Sequence, residues 1–164
     1  MSMIGNFVAV SPKRLAELIA DPDSIGSFLY PDDGDSEPEN FLDVDKAWHA
    51  IHYTLNGKAW EGEPPLGWTV VGGTEIGEDV GYGPARYLTT DQVKAVAEAL
   101  STIDAEEFST RFDPKALGAA EIYPEIWGRD DSEGLEFVLN YYNELRTFYL
   151  AAAERGDAAL LYIN

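Results

Sequence analysis

The feature that most constrains this chain is an apolar stripe between Ser132 and Arg155. Leu135, Val138, Leu139, Tyr142, Leu145, Phe148, Tyr149 and Ala152 recur there at helical spacing, and Gly156 follows them. That pattern predicts one long helix with a buried face, stopped at the glycine. Such a face is stable only when other elements cover it. Its aromatic residues, Tyr141, Tyr142, Phe148 and Tyr149, therefore read as core rather than as a binding platform.

The remaining chain supplies the cover. "MIGNFVAV" at 3–10 reads as a buried strand, and Ser11 with Pro12 then opens a helix as N-cap and first helical residue. "WTVVGG" at 68–73 reads as a short strand entering a glycine-rich segment, and "AALLYIN" closes the chain as another strand. Thr89 and Gln92 carry a capping-box signature ahead of Val93, Val96, Ala97 and Leu100; Asp104 with Glu107 repeats it, and Asp113 with Pro114 restarts a helix. These elements predict an α+β fold, a single mostly helical domain over residues 1–164. Its small mixed sheet is built from N-terminal, middle and C-terminal strands. With 45% hydrophobic residues in 164, the chain can bury roughly two thirds of its unfolded surface, which suits one domain.

Charge narrows the function classes. Eleven Lys and Arg against 30 Asp and Glu leave a net charge of −19. A field of that sign repels a phosphate backbone and no basic patch offsets it, so nucleic acid is not an expected partner. The same field steers a basic protein partner, or serves solubility alone. The absence of cysteine removes disulfides, thiolate metal sites and a cysteine nucleophile, and fits a reducing, cytoplasmic setting. No basic leader precedes the first apolar run, and no apolar stretch of about 18 residues could span a bilayer, so neither export nor a membrane partner is expected.

Three segments invite a ligand motif and fail it. An EF-hand started at Asp33 places Asp35 and Glu37 well but puts Pro38 where the turn requires glycine. Gly72 and Gly77 have P-loop spacing, yet Glu78 and Asp79 stand where lysine and a hydroxyl would meet phosphate. "GYGPAR" offers Gly81 and Gly83 but Arg86 in place of the third glycine of a dinucleotide fingerprint. No cofactor is expected, and the glycines read as a tightly turning loop.

Both histidines lie in "LDVDKAWHAIHYTLNG" at 42–57. Val44, Trp48, Ile51 and Leu55 form one helical stripe, while Asp45, His49, His52 and Asn56 form a second about 100° away. Three functional readings compete with a structural one, in which one imidazole is hydrogen-bonded and the other lies at the surface. Asp45, His49 and His52 could share a metal, although the i,i+3 histidine spacing lacks the familiar zinc pattern. One histidine could act as a general base positioned by Asp45. A small polar ligand could lie along the stripe with Trp48 or Tyr53 as a wall. Arg86, the only basic residue between Lys58 and Lys94, either clamps an acidic ligand or fixes the glycine loop by an ion pair.

Five ordered segments, "MIGNFVAVSP", "LDVDKAWHAIHYTLNG", "GYGPARYLT", "IYPEIW" and "GDAALLYI", together resemble the YfbM-like family of small bacterial proteins. The resemblance spans essentially the whole chain and implies a single α+β domain in the bacterial cytoplasm. The family is uncharacterised, so no catalytic residue carries over. The expectation is a cytosolic binding protein. It would engage a basic protein partner through its acidic surface, for instance as an immunity-type protein neutralising a basic enzyme, or hold a small ligand near Trp48, His49, His52, Tyr82 and Arg86. The alternative is a hydrolase, with or without a metal, using Asp45, His49 and His52.

Overall fold

Strand β1 (Gly5–Val10) is buried along its whole length, and β5 (Ala158–Ile163) nearly so. They lie side by side at the centre of a five-stranded sheet of order β2-β1-β5-β4-β3, with β2 at Phe41–Asp43, β3 at Thr74–Asp79 and β4 at Pro84–Leu88. The computed structural model describes residues 2–31, 38–127 and 133–164. The acidic segment with Asp33, Asp35 and Glu37, and Ser132 at the expected start of the long helix, lie outside the described residues.

The fold is α+β, as the sequence implied, but the sheet is antiparallel at every pairing rather than mixed. Apart from Asn6 in β1 the central strands are apolar throughout because helices cover both faces, whereas a one-sided antiparallel sheet would show alternation. Phe7, Ala9, Ala159 and Leu161 face a large core with α3 (Trp48–Asn56), α4 (Thr90–Ser101), α5 (Ala105–Arg111), α6 (Pro114–Ala119) and α7 (Glu133–Arg155). Val8, Val10, Ala158, Leu160 and Tyr162 face a smaller one with α1 (Pro12–Ala20) and α2 (Ile25–Leu29).

Local chemistry sets the helix boundaries. Ser11, Asp104 and Asp113 accept backbone N–H groups at the starts of α1, α5 and α6, and Thr89 and Gln92 form both halves of a capping box at α4. Glu107 departs from its expected return bond and pairs with Arg111 one turn later, at 3.0 Å. The buried face of α7 carries Val138, Tyr142, Leu145, Tyr149 and Ala152, and Tyr141 packs half-buried beside Phe137.

The middle of the chain differs most from its expected form. "WTVVGG" is a 3₁₀ turn at Leu66–Trp68 followed by further turn, not a strand. The Tyr149 hydroxyl donates to the Thr69 carbonyl at 2.6 Å, and a Cβ at Gly72 would collide with the Trp68 backbone, so the segment coils where it would have to extend. The middle strands are instead an edge hairpin, β3 and β4, with an irregular register between Ile76 and Asp79. Its turn is closed by Asp79 Oδ1, which accepts the N–H groups of Gly81 (2.7 Å) and Gly83 (3.2 Å). Gly83, at φ +99°, supplies the left-handed geometry that such a turn needs.

Candidate functional site

Helix α3 is buried on almost every side; of its nine residues only Tyr53 and Asn56 are partly exposed. A polar stripe in that setting must find partners, since an unpaired buried polar group costs about 1–3 kcal/mol. Both imidazoles find them in the loop that follows Gly57, the left-handed C-cap of the helix. His49 Nε2–H donates to the Ala59 carbonyl at 2.9 Å, and His52 Nε2–H to the Glu61 carbonyl at 3.0 Å.

The opposite ring nitrogens are acceptors. His49 Nδ1 receives the Tyr123 backbone N–H at 3.0 Å, and His52 Nδ1 receives Asn56 Nδ2 at 3.3 Å. A carbonyl can only accept and an N–H can only donate, so the Ala59 carbonyl and Tyr123 N–H set His49 as the neutral Nε2–H tautomer. The Glu61 carbonyl places the proton of His52 on Nε2, while Asn56 Nδ2 shares its two hydrogens among His52 Nδ1 and the His52 and Leu66 carbonyls at 3.0 and 3.2 Å. Burial pushes the His52 pKa down to about 4, against the Glu61 carbonyl bond and with help from His49 and Arg86; it lowers that of His49 in the same way. Each ring is thus held neutral with both nitrogens occupied.

The two carbonyls flank Trp60. The indole is 62% exposed, yet it lies 4.5 Å from the His49 ring and 6.0 Å from Trp48, which itself stacks on His49 at 4.9 Å. The histidine helix therefore fixes one large aromatic side chain at the surface, through hydrogen bonds on either side of it and rings beneath it.

The other expected site residues do not converge. Trp48 is buried with its Nε1–H on the Met3 carbonyl, so it is no pocket wall. Asp45 sits in a 3₁₀ turn before α3, near Tyr141 of α7, while His49 faces the loop and Tyr123. No group of three or more His, Cys, Asp or Glu able to hold a metal occurs among the described residues, so Asp45, His49 and His52 form no metal triad. Tyr82, in the β3–β4 turn, donates its N–H to Ile163, and no described contact joins it to the histidines.

Arg86 does fix a loop, but through the Gly72 carbonyl at 3.3 Å; no ion pair is among its described contacts. It lies close enough to His52 and Tyr149 for its charge to influence both. None of the described hollows is lined by Trp48, His49, His52, Tyr82 or Arg86. Sequence reasoning missed Trp60. The flanking "KAWEGEPP" reads only as loop, and nothing local tells which of its carbonyls an imidazole will reach.

An antiparallel sheet between two helical layers, with both imidazoles hydrogen-bonded to backbone groups of the fold, defines a small α+β domain. The chain belongs to the family described as "Domain of unknown function (DUF1877)", whose model matches residues 1–162. It is similar to Protein YfbM of Escherichia coli (strain K12), 27% identical over 169 residues, with 99% of each chain covered. Its fold is that of the crystal structure of YfbM, a protein of unknown function from Escherichia coli. The TM-score is 0.76 at 23% identity, over 98% of this chain and 99% of that one. No helix among the described residues is long and apolar enough to cross a membrane.

Proposed function

We propose that this protein is a binding protein of the bacterial cytoplasm that engages a basic protein partner, with Trp60 as the anchor of the contact. The observation that carries this reading is an indole 62% exposed whose flanking carbonyls are both held by buried imidazoles. Tryptophan is enriched among the few residues that dominate interface energies, and a pre-ordered side chain loses little freedom on binding. The charge of −19 selects the partner: Glu61 and Glu63 follow Trp60 in the chain, and a basic surface would be steered toward this acidic segment. Only Glu61 of the two has a described ion pair, an exposed one with Lys58 at 3.7 Å.

The test compares wild type with Trp60→Ala as immobilised bait in a bacterial lysate, at low and at moderate salt. The expected result is a stoichiometric basic protein retained by wild type, released as salt rises and lost with Trp60→Ala. Retention that ignores both salt and Trp60 contradicts the reading.

A further inference from the structure

On the other face of the sheet a second buried polar side chain is handled differently. Asn6 lies in β1 with only 3% of its surface exposed. Its Nδ2 donates to the Ile4 carbonyl at 3.1 Å and to Asn164 Oδ1 at 2.9 Å. Asn164 Nδ2 in turn donates to the Tyr30 hydroxyl at 2.9 Å, which donates to the Val80 carbonyl at 2.8 Å. This one-way chain sets the orientation of the Asn6 amide and directs its hydrogens away. Among the described residues nothing donates to Asn6 Oδ1.

Asn6 lines a hollow of about 380 Å³ with Tyr30, Pro31, Pro38, Phe41, Asp43, Tyr162 and Asn164. With its hydrogens turned to Ile4 and Asn164, the oxygen is the polar atom it has left to offer there. Asp43, Asn6 and Tyr162 are register partners across β2, β1 and β5, so they stand in one row on one face, with Cβ atoms about 4.5–5.5 Å apart. Asp43 uses Oδ1 to accept the Asp45 N–H at 2.6 Å, and its other oxygen has no hydrogen-bond partner among the described residues. Tyr30 and Tyr162 meet edge to face at 6.2 Å, and with Phe41 they give the hollow aromatic sides.

A buried acceptor, a carboxylate and aromatic rings within a field of −19 suit one kind of ligand, a group that only donates and carries positive charge. We propose that this hollow binds an organic cation through an ammonium or guanidinium group, with Asn6 Oδ1 and the Asp43 carboxylate as acceptors and Tyr30, Phe41 and Tyr162 as its walls. The site is independent of the Trp60 surface and stands whether or not that surface has a partner.

The test is calorimetric titration of the whole protein with agmatine, butylammonium and N-acetyl-arginine methylamide, and with neutral butanamide as control. The expected result is saturable 1:1 binding of cations and none of butanamide. Asp43→Asn should weaken cation binding by about fivefold, the loss of one partly screened charge contact, and Asn6→Asp should tighten it. Asp43 is exposed, so its variant reads out binding even if Asn6→Asp folds poorly. Tighter binding of agmatine than of the capped arginine would identify a free amine as the source, and the reverse a protein side chain. Absence of saturation with any cation, equal binding of butanamide, or affinity unchanged in both Asp43→Asn and Phe41→Leu would overturn the proposal.

Discussion

On the α3 face of the sheet, His49 and His52 each commit both ring nitrogens to protein groups. On the α1 and α2 face, Asn6 commits its amide hydrogens and leaves its oxygen at a hollow. The histidines carry the residue type that suggests catalysis, and the asparagine does not. What separates them is satisfaction: a buried polar group whose every valence is met serves the fold, whereas one with an open acceptor at a cavity is poised for a ligand. Thr54 and Thr69 mark the boundary of this rule. Their hydroxyls are buried without a partner among the described residues but line no described hollow, so they only cost stability.

The sharpest way to break this comparison is to remove a satisfied group. His49→Ala leaves the Ala59 carbonyl and the Tyr123 N–H unpaired and opens a void under Trp60, and denaturant unfolding should show a loss of about 2–4 kcal/mol. A change below about 0.5 kcal/mol would mean that the imidazole is not structural.

Acid should act next most strongly. The folded protein holds His52 neutral down to about pH 4, whereas the unfolded chain takes up the proton near 6.5. The unfolded state therefore binds more protons in this window. The contribution of His52 is complete above about pH 6.5 and is lost as pH falls toward 4, up to about 3 kcal/mol in all. His49, lowered in the same direction, adds to the slope. His52→Gln, whose amide can still donate to Glu61, should flatten the fall in stability between pH 7 and 5; an unchanged slope would show that His52 titrates normally.

Smaller effects mark the groups outside the network. Thr69→Val should stabilise the protein by about 1 kcal/mol, because it replaces a sealed hydroxyl by a methyl of similar shape. Loss of stability there would reveal a hidden partner. Asp45→Asn, an amide that tolerates the positive φ of 52° at this position, should stay within about 0.5 kcal/mol in thermal unfolding. A larger drop would tie Asp45 to the histidine network after all.

How much of this could be read from the chain follows from the range of the forces involved. Ser11, Thr89, Asp104 and Asp113 cap their helices through backbone groups two or three residues away, so their spacing alone announced them. The stripe of α7 and the two central strands were legible because burial imposes a period or a nearly unbroken apolar run. The β3 edge was not, since Glu75, Glu78 and Asp79 give it the look of a loop while charge protects it from further pairing. "WTVVGG" misled because Tyr149, 80 residues later, captures the Thr69 carbonyl. The aligned Asp45, His49, His52 and Asn56 were visible, but His49 depends on the Tyr123 N–H, 74 residues away, and no local rule supplies that. The one amide inside "MIGNFVAV" was equally visible; the hollow beside it required the strand register.

The most direct measurement is a long-range ¹H–¹⁵N NMR spectrum of the two imidazoles, followed from pH 7.5 to 5. Both rings should show the neutral Nε2–H pattern, with a protonated Nε2 and an unprotonated Nδ1, and His52 should hold it to the end of the series. An Nδ1–H tautomer at either ring, or a midpoint near 6.5 at His52, would contradict the assignment of these histidines to the fold and return them to the list of candidate catalytic groups.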